Sequence, residues 1–203
     1  MTKIDPFYPV VPDSHWVARL VPAGTRFIQL RIKDQPEAEL RRQVREARDV
    51  CARHGADLIV NDYWQIAIDE GCSWVHLGQE DLIDADVKAI RRAGLKLGVS
   101  THDHAELDKA LSADPDYVAL GPIWPTLLKK MPWAPQGLER IGEWKKLIGN
   151  RPLVAIGGLT LDRALQCLKA GADSAAVVGD IVNNADPIAQ AGKWIAATRR
   201  APA

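Results

Sequence analysis

Eight short apolar runs alternate with longer amphipathic segments along the chain, and this alternation constrains the fold more than any other feature. The runs are nearly continuous in aliphatic residues, which is typical of strands buried on both faces of a parallel sheet. They occupy residues 7–11, 27–32, 57–62, 74–79, 96–101, 117–122, 152–158 and 174–180. Eight strand–helix units in 203 residues predict an α/β fold, a single (β/α)8 TIM barrel over residues 1–203.

The segments between the runs have helical periodicity. In residues 36–55, for example, Leu40, Val44, Ala47 and Cys51 recur three or four positions apart, and a glycine follows as a stop signal. The rival architecture is a doubly wound open sheet, which usually carries a glycine-rich phosphate loop after its first strand. Here PDSHW follows the first run, and neither GxGxxG nor a Walker loop occurs in the sequence. The barrel is therefore favoured.

Composition limits the binding partners and the cellular location that are expected for this chain. Lys plus Arg and Asp plus Glu are both 26, so the chain lacks the overall positive charge typical of nucleic-acid binding. No window approaches the ~18 apolar residues of a membrane span. The three cysteines have no disulfide or metal spacing, and the N-terminus lacks a signal-peptide core. We expect a cytoplasmic protein that acts on small molecules, without nucleic acid or membrane partners; whether it is a homo-oligomer stays open.

Cations follow two of the predicted strands. In a (β/α)8 barrel the C-terminal strand ends form the active-site mouth. Arg31 and Lys33 are two residues apart, so on an extended strand their side chains point to the same side. Lys129 adds a third cation from the loop after strand six. Together the three cations indicate a binding site for a diphosphate-sized anion. The alternative is that Arg31 and Lys33 only form salt bridges with Asp34 or Glu37.

Two aspartates follow neighbouring predicted strands. Asp62 comes after strand three and Asp81 after strand four. Adjacent strands lie ~5 Å apart, so both carboxylates could reach one ion. Mg²⁺ is typically bound by a small number of carboxylates, and phosphate and water complete its coordination shell. The alternative is that each aspartate caps a helix.

Glycines follow the last two predicted strands. Gly157-Gly158 and Gly179 are typical of a cup that binds phosphate through backbone amides. His76 lies inside strand four and is predicted to be a hydrogen-bonded core residue. His102, in the loop after strand five, is a weaker candidate for a substrate contact.

Segments at these strand ends resemble the thiamine-phosphate synthase family. From strand two onward they read QLRIK (29–33), ND (61–62), HLGQEDL (76–82), GVSTH (98–102), GPIWPT (121–126), APQGL (134–138) and VAIGG (154–158). HLGQED and the GPI-aromatic-PT loop are the specific motifs among them. The resemblance implies a (β/α)8 transferase that joins 4-amino-2-methyl-5-(diphosphooxymethyl)pyrimidine to a thiazole phosphate, releasing diphosphate and forming thiamine phosphate.

The resemblance also implies a role for each matching position. Mg²⁺ would be bound by Asp62 and Asp81, and the catalytic cations would be Arg31, Lys33 and Lys129. The predicted contacts of the pyrimidine diphosphate are Gln29, Leu30, Arg31, Ile32, Lys33, Asn61, Ser100 and Lys129. The predicted contacts of the thiazole phosphate are Thr126, Leu127, Leu128, Gly158, Val178 and Gly179.

The chain departs from the family pattern at two places. Leu128 stands where the family usually has Thr, which predicts an apolar contact in place of a polar one on the thiazole side. Gly179-Asp180 replaces Ser and a small residue, which puts a negative charge near the predicted phosphate site unless Asp180 points away.

Two other functions remain as alternatives at this stage. One is a thiazole tautomerase-like isomerase of the same fold, which would need a general base but no metal and no grip on diphosphate. The presence of Asp62, Asp81, Arg31 and Lys33 speaks against it. The other is a non-catalytic binder of thiamine phosphates, which the sequence does not separate from an enzyme.

Overall fold

The computed structural model describes residues 3–126 and 133–200 and contains the predicted closed barrel. All eight strands are parallel, each pairs with the next along the chain, and the eighth pairs with the first. They are β1 (Phe7–Val11), β2 (Phe27–Leu30), β3 (Asp57–Asn61), β4 (Trp74–Leu77), β5 (Lys96–Thr101), β6 (Tyr117–Leu120), β7 (Leu153–Ile156) and β8 (Ser174–Val177). The α/β barrel prediction is confirmed.

Helices of the described residues follow the strands around the outside of the barrel. They are α1 (Ser14–Leu20), α2 (Glu37–His54), α3 (Trp64–Asp69), α4 (Gln79–Asp84), α5 (Val87–Arg92), α6 (His104–Ser112), α7 (Gly137–Leu147), α8 (Leu161–Lys169), α9 (Gly179–Val182) and α10 (Pro187–Thr198). Within the described ranges, no helix has the length and apolar character needed to cross a membrane.

The predicted helix in residues 36–55 forms as expected. Its periodic residues Leu40, Val44, Ala47 and Cys51 are all buried against the barrel. Gly55 ends the helix with φ 62°, and its amide donates to carbonyls of the last turn. The left-handed conformation required at this position favours glycine, because glycine has no Cβ that could clash.

Several strands are shorter than the apolar runs that predicted them. β2 ends at Leu30, so Arg31 and Lys33 lie just beyond the strand rather than inside it. β4 ends at Leu77, because Gln79 already begins α4. The apolar runs extend past the strand ends because residues such as Ile32 continue the apolar pattern after strand pairing has stopped.

Alternate residues of each strand face the barrel interior. Near the bottom, this interior is filled by aromatic rings from four strands, Tyr8, Phe27, Trp74 and Tyr117. Successive ring centroids along that series lie 4.5, 5.2 and 5.7 Å apart. The ring of Tyr117 fits because β5 presents Gly98 there: a Cβ at that position would lie 2.0 Å from Tyr117 Cζ.

We predict that Gly98→Ala destabilises the protein by about 3 kcal/mol, because Tyr117 is fully buried and has no space into which to move. Urea unfolding followed by circular dichroism measures the change. Gly142→Ala in α7 is the control, since a Cβ there meets nothing within 4 Å and should be neutral or stabilising by up to ~1 kcal/mol. Equal stability of the two variants would contradict this packing.

Candidate active site at the barrel mouth

Two carboxylates meet at the C-terminal ends of β3 and β4. Asp62 follows the last residue of β3, and Asp81 lies in the first turn of α4. Burial raises the pKa of Asp81, and the negative charge of Asp62 and a side-chain hydrogen bond to it act in the same direction. The structure thus brings together the two residues predicted as metal ligands.

Neither aspartate caps a helix, so the alternative interpretation of both residues is wrong. The N-cap of α3 is Tyr63 and that of α4 is Gly78. Asp62 instead has φ 66°, a left-handed conformation that costs a non-glycine residue about 1 kcal/mol or more. Its amide donates to the carbonyl of His76 at 2.9 Å, which ties this turn to β4.

The two predicted cations after β2 differ in their partners. Lys33 Nζ lies 2.8 Å from Asp62 Oδ2, so its ion pair is across the mouth and not with Asp34 or Glu37. Arg31 is exposed and has no ion-pair partner within residues 3–126 and 133–200. Because the Lys33 side chain is 46% exposed, this pair contributes at most about 1 kcal/mol to stability.

Residues 29–33 keep the alternation of β2 beyond its end. Gln29 faces the interior, and the side chains of Leu30 and Ile32 are buried in the core between the barrel and the helices. Those two residues can therefore offer only their main chain to a ligand at the mouth. Arg31 and Lys33 are both exposed, on the other side of the chain from the two apolar residues.

Asn61 has an unsatisfied polar group at the inner rim. It is the last residue of β3, pairs in register with His76, and is only 5% exposed. Its Nδ2 has no hydrogen-bond partner in the described part of the chain. A buried N–H without an acceptor costs about 1–3 kcal/mol. A ligand acceptor at the mouth would remove this cost.

A continuous hydrogen-bonded chain of side chains crosses the interior just below the mouth. Gln29 Nε2 donates to Tyr8 Oη at 2.7 Å, and the hydroxyls of Tyr8 and Tyr117 are 2.8 Å apart. His76 Nδ1 lies 2.8 Å from Tyr117 Oη, and its Nε2 lies 2.8 Å from Ser100 Oγ. Burial lowers the pKa of His76 to about 4 and raises the pKa of both tyrosines, so the chain is uncharged at neutral pH.

Sequence reasoning missed the two tyrosines of this chain. His76 is a hydrogen-bonded core residue, as predicted. Tyr8 and Tyr117 lie inside apolar runs, where each looks like a packing residue. The signal that could have found them is the two-residue period, which places Tyr8 and Gln29 on the inner face of neighbouring strands.

The glycine pair after β7 packs against the loop after β6. Gly157 and Gly158 have φ 102° and 64°. A Cβ on the first would lie 2.6 Å from Pro122 Cα, and one on the second 2.5 Å from the Pro125 carbonyl oxygen. The Trp124 amide donates to the carbonyl of Gly157 at 3.1 Å. These glycines are therefore needed for the close approach of two loops, besides any contact with phosphate.

One further predicted thiazole contact lies in the loop after β6. Thr126 is half-buried at the end of the described part of the β6 loop. Leu127, Leu128 and Lys129 lie outside the described residues, so their roles stay predictions. On α8, Arg163 donates from Nη1 to the carbonyl of Gly158 at 2.6 Å. This contact places a guanidinium beside the glycine pair.

Asp180 does not point at the predicted phosphate position. Its Oδ2 accepts from Gln190 Nε2 at 2.8 Å and from Trp194 Nε1 at 2.7 Å, both on α10. The preceding Val178 is partly buried against the interior cluster, and Gly179 begins α9. The negative charge that the sequence placed near this site is therefore held against an outer helix.

His102 contacts protein groups on both sides of its ring. Its Nδ1 lies 2.6 Å from Glu106 Oε2, and its ring stacks on Trp133 with centroids 4.0 Å apart. Gln136 Nε2 donates to its carbonyl at 2.9 Å. These contacts fasten the chain from Trp133 onward to the loop after β5, which is a structural role for His102.

Comparisons with known proteins agree in family and fold. A family model described as thiamine monophosphate synthase matches residues 8–181. The thiamine-phosphate synthase of Rhizobium etli is 60% identical over 196 residues, which are 97% of this chain and 96% of the relative. That of Cronobacter sakazakii is 50% identical over 193 residues, covering 95% of this chain and 89% of the relative.

A solved structure extends the agreement to three dimensions. Thiamine phosphate pyrophosphorylase from Pyrococcus furiosus superposes with a TM-score of 0.82 at 25% identity. The match covers 95% of this chain and 96% of that chain.

We predict that Asp180→Ala lowers the free energy of unfolding by about 1–3 kcal/mol, because the buried indole of Trp194 and the half-buried amide of Gln190 lose their acceptor. Asp180→Asn should lose less, since it keeps an acceptor oxygen. Urea denaturation of the three proteins measures the difference. Unchanged stability of Asp180→Ala would show that the carboxylate does not bond α10.

Proposed function

The chain belongs to the thiamine monophosphate synthase family, and we propose that Asp62 and Asp81 bind Mg²⁺ in its reaction while Arg31 and Lys33 hold the diphosphate. The protein is a transferase, a thiamine-phosphate synthase by family, by relatives and by structural likeness. Its reaction joins the diphosphooxymethyl pyrimidine to a thiazole phosphate and releases diphosphate. The observation that carries the site assignment is the pair of carboxylates beside Lys33 at the mouth.

The donor set fits Mg²⁺. Two carboxyl groups in contact can offer their oxygens to one cation. Burial and, after it, the negative charge of Asp62 raise the pKa of Asp81, and a cation would relieve both effects. Across residues 3–126 and 133–200, no group of three or more His, Cys, Asp or Glu side chains could hold a metal ion. Mg²⁺ commonly takes one or two carboxylates and completes its shell with water and substrate phosphate. When bound, the ion would neutralise charge on the departing diphosphate.

The chemistry at carbon requires no nucleophile from the protein. The bond between the pyrimidine methylene carbon and the diphosphate oxygen breaks, and both electrons leave with diphosphate. The aminopyrimidine ring delocalises the resulting positive charge, and the thiazole nitrogen then forms the new bond to that carbon. Arg31 and Lys33 stabilise the developing negative charge, so catalysis is positioning plus electrostatics. Lys129 is the proposed third cation.

Asn61 supports a substrate at this place. Its unsatisfied amide lies at the end of β3, directly before Asp62, so an acceptor on the pyrimidine diphosphate would satisfy it. Gln29 and Ser100, on the same inner face, are the other proposed pyrimidine contacts. Leu30 and Ile32 would contribute only backbone groups.

The proposed thiazole phosphate site uses Gly158, Val178 and Gly179. The position of Asp180 supports it, since that carboxylate is bonded to α10. Arg163, bonded to the carbonyl of Gly158, adds positive charge nearby.

Family membership favours the synthase over the isomerase and over the non-catalytic binder. The cytoplasmic location stays a prediction, as does the absence of nucleic acid partners. The three cysteines that suggested a reducing compartment are buried and free. Whether the protein is a homo-oligomer stays open.

We predict that Asp62→Asn raises the Mg²⁺ concentration for half-maximal activity at least ~10-fold, because one anionic ligand is lost. Release of diphosphate with both substrates present, titrated with Mg²⁺, measures this. Asp69→Asn is the matched control, since Asp69 pairs with Arg41 on the outer surface. An unchanged Mg²⁺ requirement in Asp62→Asn would remove Asp62 from the metal site.

We also predict that Leu128→Thr changes KM for the thiazole phosphate and hardly affects KM for the pyrimidine diphosphate. The reason is that the substitution restores the hydroxyl that the family usually has there. Steady-state kinetics with each substrate varied in turn measures both constants. The opposite pattern would place this residue on the pyrimidine side.

A further inference from the structure

The buried hydrogen-bonded chain has a direction. The Gln29 amide, whose Nε2 faces Tyr8, sets it, and the count of hydrogens passes it along the chain. Gln29 Nε2 donates to the Tyr8 hydroxyl. The single hydrogen of Tyr8 then goes to Tyr117 Oη, its other polar neighbour. The single hydrogen of Tyr117 is left for His76 Nδ1, which must accept it.

The same count determines the tautomer of His76. The ring is buried and, within the described part of the chain, bonds only to hydroxyl groups, so it is neutral, with one donor and one acceptor. Since Nδ1 accepts, Nε2 carries the hydrogen and donates to Ser100 Oγ at 2.8 Å. The hydrogen of Ser100 remains for donation into the mouth. At the other end, the Oε1 of Gln29 remains an acceptor.

We propose that this relay, running from Gln29 through Tyr8, Tyr117 and His76 to Ser100, sets the hydrogen-bonding polarity of the pyrimidine pocket. Gln29 presents an acceptor to the substrate, and Ser100 presents a donor. Tyr8, Tyr117 and His76 are positioning residues that never touch the substrate. The inference rests on the proposed function, which assigns Gln29 and Ser100 to the pyrimidine.

The relay holds its direction because its members cannot reverse one at a time. Turning the Gln29 amide alone would set two acceptors, Gln29 Oε1 and Tyr8 Oη, against each other inside a region of low dielectric. All bonds of the chain would have to reverse together. The side chains come from β1, β2, β4, β5 and β6, so the closed barrel keeps them in register.

A chemical consequence is selection between pyrimidines. The exocyclic amine is the only N–H donor of the aminopyrimidine ring, so it is the group that an acceptor at Gln29 would take. A 4-oxo analogue would put an oxygen against that acceptor. An acceptor of the substrate, a ring nitrogen or a diphosphate oxygen, would meet the Ser100 hydroxyl.

The first test needs no substitution in the protein that is measured. NMR of the full chain labelled with ¹⁵N-histidine, without substrates, reports the tautomer of each histidine, and a His76→Asn sample identifies the His76 signals. We expect the neutral Nε2–H form at pH 7. The Nδ1–H form, or a charged ring, would overturn the proposed direction.

The second test separates positioning from packing. Tyr8→Phe and Tyr117→Phe keep the rings and remove the relay hydroxyls. Each should raise KM for the pyrimidine diphosphate by roughly 5- to 30-fold, the ratio expected for one or two lost hydrogen bonds. KM for the thiazole phosphate should change less than about twofold, because the relay ends on the pyrimidine side.

Trp74→Phe is the matched control, because Trp74 lies in the same aromatic layer and makes no hydrogen bond through its indole to any described residue. It should lower the melting temperature without altering either KM. An equal rise in pyrimidine KM in this control would overturn the relay. So would an Nε2–H tautomer combined with unchanged KM in both tyrosine variants. Failure of the proposed function would look different: the unmodified protein would form no thiamine phosphate.

Discussion

Closure of the eight-stranded parallel ladder is the constraint on which the rest of the structure depends. Once β8 pairs with β1, every strand has two neighbours and each residue faces either the interior or the helices. One register therefore decides the surroundings of every side chain. Along β2, for example, Phe27 and Gln29 face inward while Ile28 and Leu30 pack against helices.

The side chains of the interior become more polar along the barrel axis towards the mouth. Aromatic rings such as Phe27 and Trp74 fill the lower part. Above them lies the uncharged hydrogen-bonded chain, in which each buried polar group has a partner. The charged groups come last, at the strand ends, where Lys33 and Asp62 are partly exposed. Asn61, at the boundary between the layers, lacks a partner for its amide among the described residues, as a ligand-binding position would.

Close backbone approach shapes the other half of the mouth. The β6 and β7 loops pack so tightly that Gly157 and Gly158 could not carry a Cβ without meeting backbone or proline atoms. Glycine was predicted there for contact with phosphate, but packing alone already demands it. Conversely, Asp180 looked unfavourable in sequence because it follows Gly179. In the structure its carboxylate accepts hydrogen bonds from Gln190 and Trp194 on α10.

The sequence by itself determined the strands, the helices and the glycine stops, since these depend on local periodicity and backbone preference. It also determined that Asp62, Asp81, Arg31 and Lys33 would be at one end, because parallel strands finish on the same side. Only the tertiary structure decided which side chains contact each other. Lys33 pairs with a residue 29 positions away, and the two tyrosine hydroxyls of the relay are 109 positions apart. Such contacts arise when the barrel closes and brings distant strands together, and no local pattern encodes which side chains then meet.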